Sequence, residues 1–142
     1  MPASIGWWPT HGCYSSMLVR TSPNSRWLDN SALISLVSEA RVRFFKALGY
    51  TELDVEGCGI VVADVAAQYK SEAFHGEVLV FEVAADDFNK YGCDLVWRIS
   101  DKASGREVAR GKTGVMFFDY TARKAALVPP AFAAKAGAPA SA

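Results

Sequence analysis

The amino-acid sequence predicts an α+β fold in which an antiparallel sheet wraps around one long helix. A single segment of about five turns, residues 31–48, has the apolar spacing of a helix. Segments with the pattern of β-strands follow it, and the connections between them are too short for parallel crossovers. Because one helix cannot cover both faces of such a sheet, the sheet must curl around the helix, and its outer face meets water or a second copy.

The predicted helix has recognisable signals at both ends. Asn30 stands directly before it as an N-cap. Gly49 stands just after it, where a residue in the left-handed conformation commonly ends a helix. The apolar residues that recur at spacings of three and four are Leu33, Ile34, Leu36, Val37, Ala40, Phe44, Phe45 and Leu48.

Five strands are predicted, and their composition indicates how each is covered. The segment 59–69 is β-branched and small, which is typical of a strand covered on both faces over part of its length. The segment 91–100 alternates between apolar and polar positions, as a half-buried strand does. The predicted strands are residues 17–21, 59–69, 77–84, 91–100 and 106–119.

The chain is predicted to form one domain over residues 1–128, because 142 residues leave little room for a second. Its first 16 residues are predicted to be irregular, and residues 129–142 are predicted to be an Ala/Pro-rich disordered tail. An apolar outer sheet face is predicted from Val61, Val65, Phe81 and Trp97. That face favours dimerisation through an edge strand or through the sheet surface.

Composition and charge argue against several classes of protein. Lys plus Arg and Asp plus Glu both number 15, and the pI is about 6.7, so bulk attraction to nucleic acid or to an anionic membrane surface is not expected. No stretch of about 18 apolar residues is present, and the N-terminus lacks the features of a signal peptide. The use of cysteine fits a reducing compartment, so we expect a cytoplasmic protein.

The sequence predicts no metal and no cofactor. Cys13, Cys58 and Cys93 have no ligand spacing, and Cys58 and Cys93 are predicted to be small buried side chains. The histidines, His11 and His75, have no second ligand on a common element. Nucleotide-binding glycine motifs and the serine-hydrolase elbow are also absent.

The end of the predicted helix, SEARVRFFKALG at residues 38–49, resembles the E-A-R-x-x-F-x-x-x-L-G ending in hotdog-fold acyl-CoA thioesterases of the 4-hydroxybenzoyl-CoA thioesterase type. Residues 62–71 and 111–118 resemble the next segment and the closing strand, and the likeness covers about residues 19–128. It implies a hotdog fold, an acyl-CoA substrate or ligand, and a homodimer or homotetramer.

The resemblance also implies how such a protein hydrolyses a thioester. A helix N-terminus presents backbone N–H groups to the thioester carbonyl, where negative charge develops. A carboxylate activates water or attacks the carbonyl itself. A groove between subunits holds the pantetheine arm, with basic residues near the CoA phosphates.

The loop before the helix departs from the family pattern D-x-x-x-G-H-x-x-N. Residues 28–30 and 32 can be placed on the end of that motif, but residues 23–27, PNSRW, contain neither a carboxylate nor a histidine. No residue therefore matches the family's catalytic Asp. Three interpretations stay open: the chain has lost its base and only binds acyl thioesters, Asp29 substitutes from a shifted position, or residues 1–27 are not the native reading frame.

Several residues have both a functional and a structural interpretation. Asp29 is the candidate base or merely favours the positive end of the helix dipole, and Asn30 belongs to the catalytic helix N-terminus or only caps it. Glu39 is a further candidate carboxylate or a structural ion-pair partner. The candidate substrate-binding residues, each of which could instead be a loop, strand-end or edge residue, are Trp27, Tyr69, Lys70, Ser71 and Lys112.

Two other functions stay open at the level of sequence. The chain could be a non-catalytic acyl-CoA or acyl-binding module, or a structural oligomer without affinity for CoA. Acyl specificity is not determined by the sequence, because the predicted groove is lined by residues of two subunits.

Overall fold

The computed structural model describes residues 14–20, 30–73 and 76–137. These residues form a six-stranded antiparallel sheet and two helices. The strand order across the sheet is β1-β3-β4-β5-β2, and β6 pairs with β5. The predicted α+β architecture is confirmed. In chain order the elements are β1 (Tyr14–Arg20), α1 (Asn30–Ala47), β2 (Gly59–Tyr69), β3 (Val78–Asp86), β4 (Gly92–Asp101), β5 (Glu107–Asp119), β6 (Lys124–Ala125) and α2 (Pro130–Ala136).

The helix α1 packs one side into the core and ends as predicted. Five residues of the helix are buried and share one core cluster with the strands. They are Leu33, Val37, Ala40, Phe44 and Phe45. The N–H of Gly49 donates to the carbonyl of Lys46 at 2.9 Å, and the N–H of Tyr50 donates to the carbonyl of Phe45 at 2.9 Å. With Gly49 at φ 90°, these two bonds form a Schellman motif.

The predicted alternation of β4 is confirmed, and it defines an inner face of the sheet. Cys93, Leu95, Trp97 and Ile99 are buried in the core cluster that includes α1. We call this surface the inner face and the opposite surface the outer face. Phe81 pairs directly with Ile99, so it also lies on the inner face, because directly paired residues share a side of the sheet. The prediction that Phe81 and Trp97 form an apolar outer face is therefore wrong.

The prediction that β2 is covered on both faces over part of its length holds only at the start of the strand. Residues 62–69 are exposed, and only Gly59 and Ile60 are buried. The reason is the position of β2 at the end of the strand order, where it pairs only with β5 among the described residues. Val65 pairs with the buried Thr113 and so lies on the inner face, although it is 40% exposed.

The C-terminal segment differs from the predicted disordered tail. Residues 130–136 form α2, which begins at Pro130 and ends at Gly137 in the left-handed conformation. Phe132 is fully buried, with ring centroids 5.7 Å from Phe45 and 5.0 Å from Phe117. One aromatic side chain thus docks a segment whose overall composition suggested disorder. The strand β1 likewise begins at Tyr14, inside the segment predicted to be irregular.

Candidate active site

The start of α1 provides backbone donors that a thioester oxygen could use. α1 begins at Asn30, and its first turn contains no acidic residue. The first N–H groups of a helix lack acceptors within the helix and carry a partial positive charge. Trp27 and Asp29 lie outside the described residues, as does the side chain of Asn30, so their predicted roles stay predictions.

Glu39 lies on the exposed side of α1. Its carboxylate accepts a hydrogen bond from Nε of Arg43 at 3.0 Å, and the two side chains are about half exposed. An exposed pair at this spacing contributes only about 0.3–0.5 kcal/mol. Arg41 does not share this pair, because its guanidinium contacts Glu52. The arrangement favours the structural interpretation of Glu39 over the catalytic one.

Three of the predicted binding residues follow one another where β2 ends. The hydroxyl of Ser71 donates to the carbonyl of Glu107 at 2.7 Å and accepts from Nε of Arg106 at 3.1 Å. These bonds join the chain after β2 to the start of β5, which is a structural role. Tyr69 and Lys70 are exposed, and Tyr69 projects from the inner face because it pairs with the buried Ala109.

Lys112, the remaining predicted binding residue, lies between two carboxylates on the outer face. Its Nζ is 2.8 Å from Oδ1 of Asp64 and 3.5 Å from Oδ1 of Asp94. Oδ1 of Asp64 also accepts a hydrogen bond from the N–H of Gly114 at 3.2 Å. One ammonium and two carboxylates carry a net negative charge when all are ionised, so this charge balance disfavours the predicted contact of Lys112 with a CoA phosphate.

All three groups of this cluster have shifted pKa values. The hydrogen bond from Lys112 lowers the pKa of Asp64, and the same bond raises the pKa of Lys112. The pKa of Asp94 is raised, chiefly because partial burial removes water from its carboxylate. This group was not predicted from the sequence, although Asp64 is the lone charged residue in β2. A single charged residue in an otherwise uncharged strand is the signal from which an oppositely charged partner could have been predicted.

A recess of about 370 Å³ lies beside this charged group. It combines the small apolar side chains of Ala66 and Val96 with the cationic side chains of Arg110 and Lys112. Both cations already have carboxylate neighbours, because Nε of Arg110 is 2.6 Å from Oε1 of Glu107. Since Lys112 and Val96 pair directly on the outer face, the recess faces away from α1.

Two buried polar side chains on the inner face lack hydrogen-bond partners within the described part of the chain. They are Thr113, through Oγ1, and Trp97, through Nε1, and each residue is 1% exposed. The indole ring of Trp97 lies against Gly111, where an added Cβ would be 2.5 Å from Cζ2 of the ring. From the sequence, Trp97 was predicted to belong to an apolar outer face, and Thr113 was not predicted as a site residue.

Other chemistries find little support in the described residues. Burial raises the pKa of the Cys93 thiol to about 12, so this cysteine is not a thiolate nucleophile. Cys58 is only half-buried, against the prediction, and both histidines lie outside the described residues. Within residues 14–20, 30–73 and 76–137, no three His, Cys, Asp or Glu side chains cluster as metal ligands.

In the same residues, neither helix has the length and apolar character needed to span a membrane.

The family of the chain follows from the match of its sequence to a family model. The model described as the Thioesterase-like superfamily matches residues 24–136. The chain belongs to the thioesterase-like superfamily. The match ends at the last residue of α2, so this helix is part of the thioesterase-like domain. No protein in a search of curated proteins matches the chain.

Solved structures with the same fold confirm the hotdog architecture of this thioesterase-like chain. The 1,4-dihydroxy-2-naphthoyl-CoA thioesterase Slr0204 from Synechocystis has a TM-score of 0.70 at 13% identity, covering 85% of this chain and 96% of that one. Protein SAV2348 from Staphylococcus aureus, solved in complex with CoA, has a TM-score of 0.76 at 13% identity, covering 89% and 84%. The DHNA-CoA thioesterase from Staphylococcus aureus has a TM-score of 0.68 at 17% identity, covering 80% of each chain.

Proposed function

We propose that this thioesterase-like protein hydrolyses the thioester of an acyl-CoA, in the manner of the 4-hydroxybenzoyl-CoA thioesterase type. The observation that carries the proposal is the family match over residues 24–136, which includes the whole of α1. The CoA bound to SAV2348, a protein of the same fold, supports CoA as the carrier of the acyl group.

The first turn of α1 is the proposed oxyanion site. Its backbone N–H groups would hydrogen-bond the thioester oxygen as the carbonyl carbon becomes tetrahedral and negative charge moves onto that oxygen. A carboxylate would take a proton from water as the water attacks the carbonyl carbon, and the CoA thiolate would leave. Backbone donors need no particular side chain, so an altered loop sequence does not remove them.

Asp29 is the proposed general base. It directly precedes α1 in the chain, whereas Asp64 lies on the outer face and Glu39 is paired with Arg43 on the exposed side of α1. Asp64 is therefore on the opposite side of the sheet from α1, and Glu39 is on the side of the helix that faces solvent. Asp29 also replaces, from a shifted position, the Asp that the family loop would supply.

Release of thiol from a panel of acyl-CoAs tests the proposal. We expect the protein to release CoA, and we expect Asp29→Asn to lower kcat by about 10² to 10⁴-fold, the usual contribution of a general base. Asp87→Asn is the matched control, because Asp87 is an exposed turn residue with φ 50°, a conformation that Asn tolerates. An Asp29→Asn variant as fast as the wild type would retire Asp29 as the base.

A non-catalytic acyl-CoA binding protein is the second candidate function. It is favoured by one observation, the absence of any carboxylate at residues 23–27. In that case calorimetry detects CoA or acyl-CoA binding, while no thiol is released from any acyl-CoA in the panel. Hydrolysis of even one acyl-CoA by the purified wild type at a rate sensitive to Asp29 would exclude this second function.

The third interpretation of the loop concerns the reading frame of residues 1–27. Seven residues of β1 pair with β3 in continuous register, and Met17 is buried while its neighbours Ser16 and Leu18 are exposed. This alternation is that of a native strand and supports residues 14–20 as part of the domain. Sequencing the coding DNA upstream of Leu28 decides the matter for the whole segment.

The proposed functional unit is a homodimer, or a homotetramer built from dimers, located in the cytoplasm. The exposed edge of β2 supports self-association, because an open strand edge with apolar side chains readily pairs with another strand. The protonated, buried Cys93 thiol is consistent with the predicted reducing compartment. We also expect a groove between two copies to hold the CoA arm.

A further inference from the structure

We propose that Thr113 and Trp97 select the acyl group, by hydrogen-bonding an oxygen acceptor that the acyl group carries. This inference rests on the proposed function and adds the chemical class of the substrate to it. It starts from the two buried polar atoms on the inner face, Oγ1 of Thr113 and Nε1 of Trp97, which have no hydrogen-bond partner in the described part of the chain.

Thr113 stands apart from the other buried polar residues. The buried guanidinium of Arg98 donates to Glu82 at 2.8 Å, and the buried carboxylate of Asp101 accepts from the hydroxyl of Ser104 at 2.6 Å. Folded proteins pair nearly all buried polar atoms, and an orphaned one commonly marks a site for a water or a ligand. Each of the two orphaned atoms on this face therefore calls for a polar partner, and one ligand oxygen between them would serve both.

The sheet brings the two side chains to neighbouring positions. Leu95 pairs with Thr113, and Trp97 pairs with Gly111, so Thr113 and Trp97 are diagonal neighbours on adjacent strands. Because Gly111 has no side chain, the indole ring lies against β5 at that position. Val65 and Ala67, which pair with Thr113 and Gly111, are exposed on the edge strand β2.

The donor chemistry defines the class of acyl group. An indole N–H can only donate, and a threonine hydroxyl can donate or accept. An unsubstituted alkyl or aryl chain would leave both groups unpaired, whereas a keto, hydroxyl or phenolic oxygen would accept from both. A site built around buried polar groups discriminates strongly against an analogue that lacks the matching atom.

Matched pairs of acyl-CoAs test this inference in the full-length protein. The pairs are 4-hydroxybenzoyl-CoA with benzoyl-CoA and 3-oxododecanoyl-CoA with dodecanoyl-CoA. We expect the wild type to favour the oxygenated member of at least one pair by about 10-fold or more in kcat/KM. We expect Thr113→Val, which keeps the shape of the side chain, to bring that ratio close to one by lowering kcat/KM for the oxygenated member.

Two further variants separate a polar contact from a structural effect. Thr113→Ser keeps the hydroxyl and should keep the preference, and Thr121→Val alters only an exposed loop residue and should behave as the wild type. Trp97→Phe should also lower the ratio. If Trp97→Phe does not fold, Thr113→Val decides alone, because it removes an unpaired hydroxyl and should not destabilise the fold.

The result distinguishes failure of this inference from failure of the proposed function. If acyl-CoAs are hydrolysed but no pair shows a preference, or the preference survives Thr113→Val, the inference is overturned and the hydrolase stands. If no acyl-CoA is hydrolysed, the proposed hydrolase fails, and the same pairs are compared by calorimetric binding. Equal affinities within both pairs then overturn the inference, and a preference lost in Thr113→Val supports it.

Discussion

In the cluster of Asp64, Asp94 and Lys112, one partly exposed ammonium group lies near two carboxylates and affects the pKa of each. The pKa of Asp64 is lowered in the folded protein, so its ionised form stabilises the fold above its usual pKa of 3.8, and this contribution is lost as the pH falls through the lower folded pKa. The pKa of Asp94 is raised by burial, so its ionisation opposes folding, and that cost disappears as the pH falls. Lys112 favours the ionised form of both.

We therefore expect Lys112→Met to destabilise the protein more at pH 7 than at pH 3. At pH 7 the variant leaves two carboxylates close together without an ammonium, whereas at pH 3 protonation removes most of that repulsion. Urea unfolding at both pH values measures the difference. Lys102→Met, at an exposed lysine in the turn between β4 and β5, is the control and should show no pH-dependent loss. An equal loss at both pH values would contradict the electrostatic role.

Gly111 and Gly114 lie on the same strand, but adding a methyl group is expected to reduce the stability of the fold by different amounts at the two positions. A Cβ at Gly111 would lie 2.1 Å from the carbonyl oxygen of Ala66, a backbone atom that cannot move without shifting β2. A Cβ at Gly114 would meet the end of the Asp64 side chain at 2.4 Å, and that side chain is 59% exposed and can move.

We expect Gly111→Ala to destabilise the fold by about 1–3 kcal/mol, the usual cost of overpacking, and Gly114→Ala to cost clearly less. Urea unfolding of both variants at one pH makes the comparison. Equal losses would mean that β2 can shift at Gly111 as easily as Asp64 can move aside.

At the scale of elements, α2 depends on one aromatic side chain. Phe132 is fully buried, and its ring lies near those of Phe45, Phe88 and Phe117. A seven-residue helix is too short to be stable by itself, so its packing must hold it in place. The last turn of α1 gains a covering layer from it.

We expect Phe132→Ala to lower the free energy of unfolding by about 3–5 kcal/mol, as other large-to-small changes in cores do. Leu127→Ala, at a side chain that is 60% exposed and precedes the same helix, should change it by less than about 0.5 kcal/mol. Similar small effects of both variants would show that α2 is a loosely attached tail, as its composition suggested.

At the scale of the whole molecule, β2 ends the described strand order, and its edge is where we expect a second copy to pair. The strand has 11 residues, pairs only with β5 among the described residues, and exposes Val62, Val65 and Tyr69 by 40–43%. Edge strands of this length and composition are commonly covered in native assemblies.

We expect the protein to elute at two or four times its chain mass of 15.4 kDa, and Val65→Asp to lower that mass. The reason is that a charge in the middle of an edge would be buried without a partner when a second copy pairs there. Light scattering after gel filtration measures both masses. Leu53→Asp is the control, because Leu53 is 80% exposed in a loop, and it should leave the assembly intact. A wild-type monomer at micromolar concentration would contradict the prediction.

Much of the fold followed from local patterns. The helix α1 was predicted within one residue at each end, because its periodicity and its terminal Gly49 act over a few neighbouring residues. The alternation of β4 likewise predicted that Cys93, Leu95 and Ile99 share a face, and these three are buried, although Arg98 on the opposite face is buried too. The contacts of Ser71 and Lys112 could not be predicted from the sequence, because their partners, Arg106 for one and Asp64 for the other, are 35 or more residues away in the chain.

The sequence by itself determined the α+β class, the long helix and the strand order along the chain, because hydrophobic periodicity and turn residues are local properties. The tertiary structure alone decided that β2 is an exposed edge, that Phe132 docks α2 and that Thr113 and Trp97 lack partners in the described chain. Those features depend on which strands become neighbours, and the free energy that selects the neighbours comes from burial shared across the whole core.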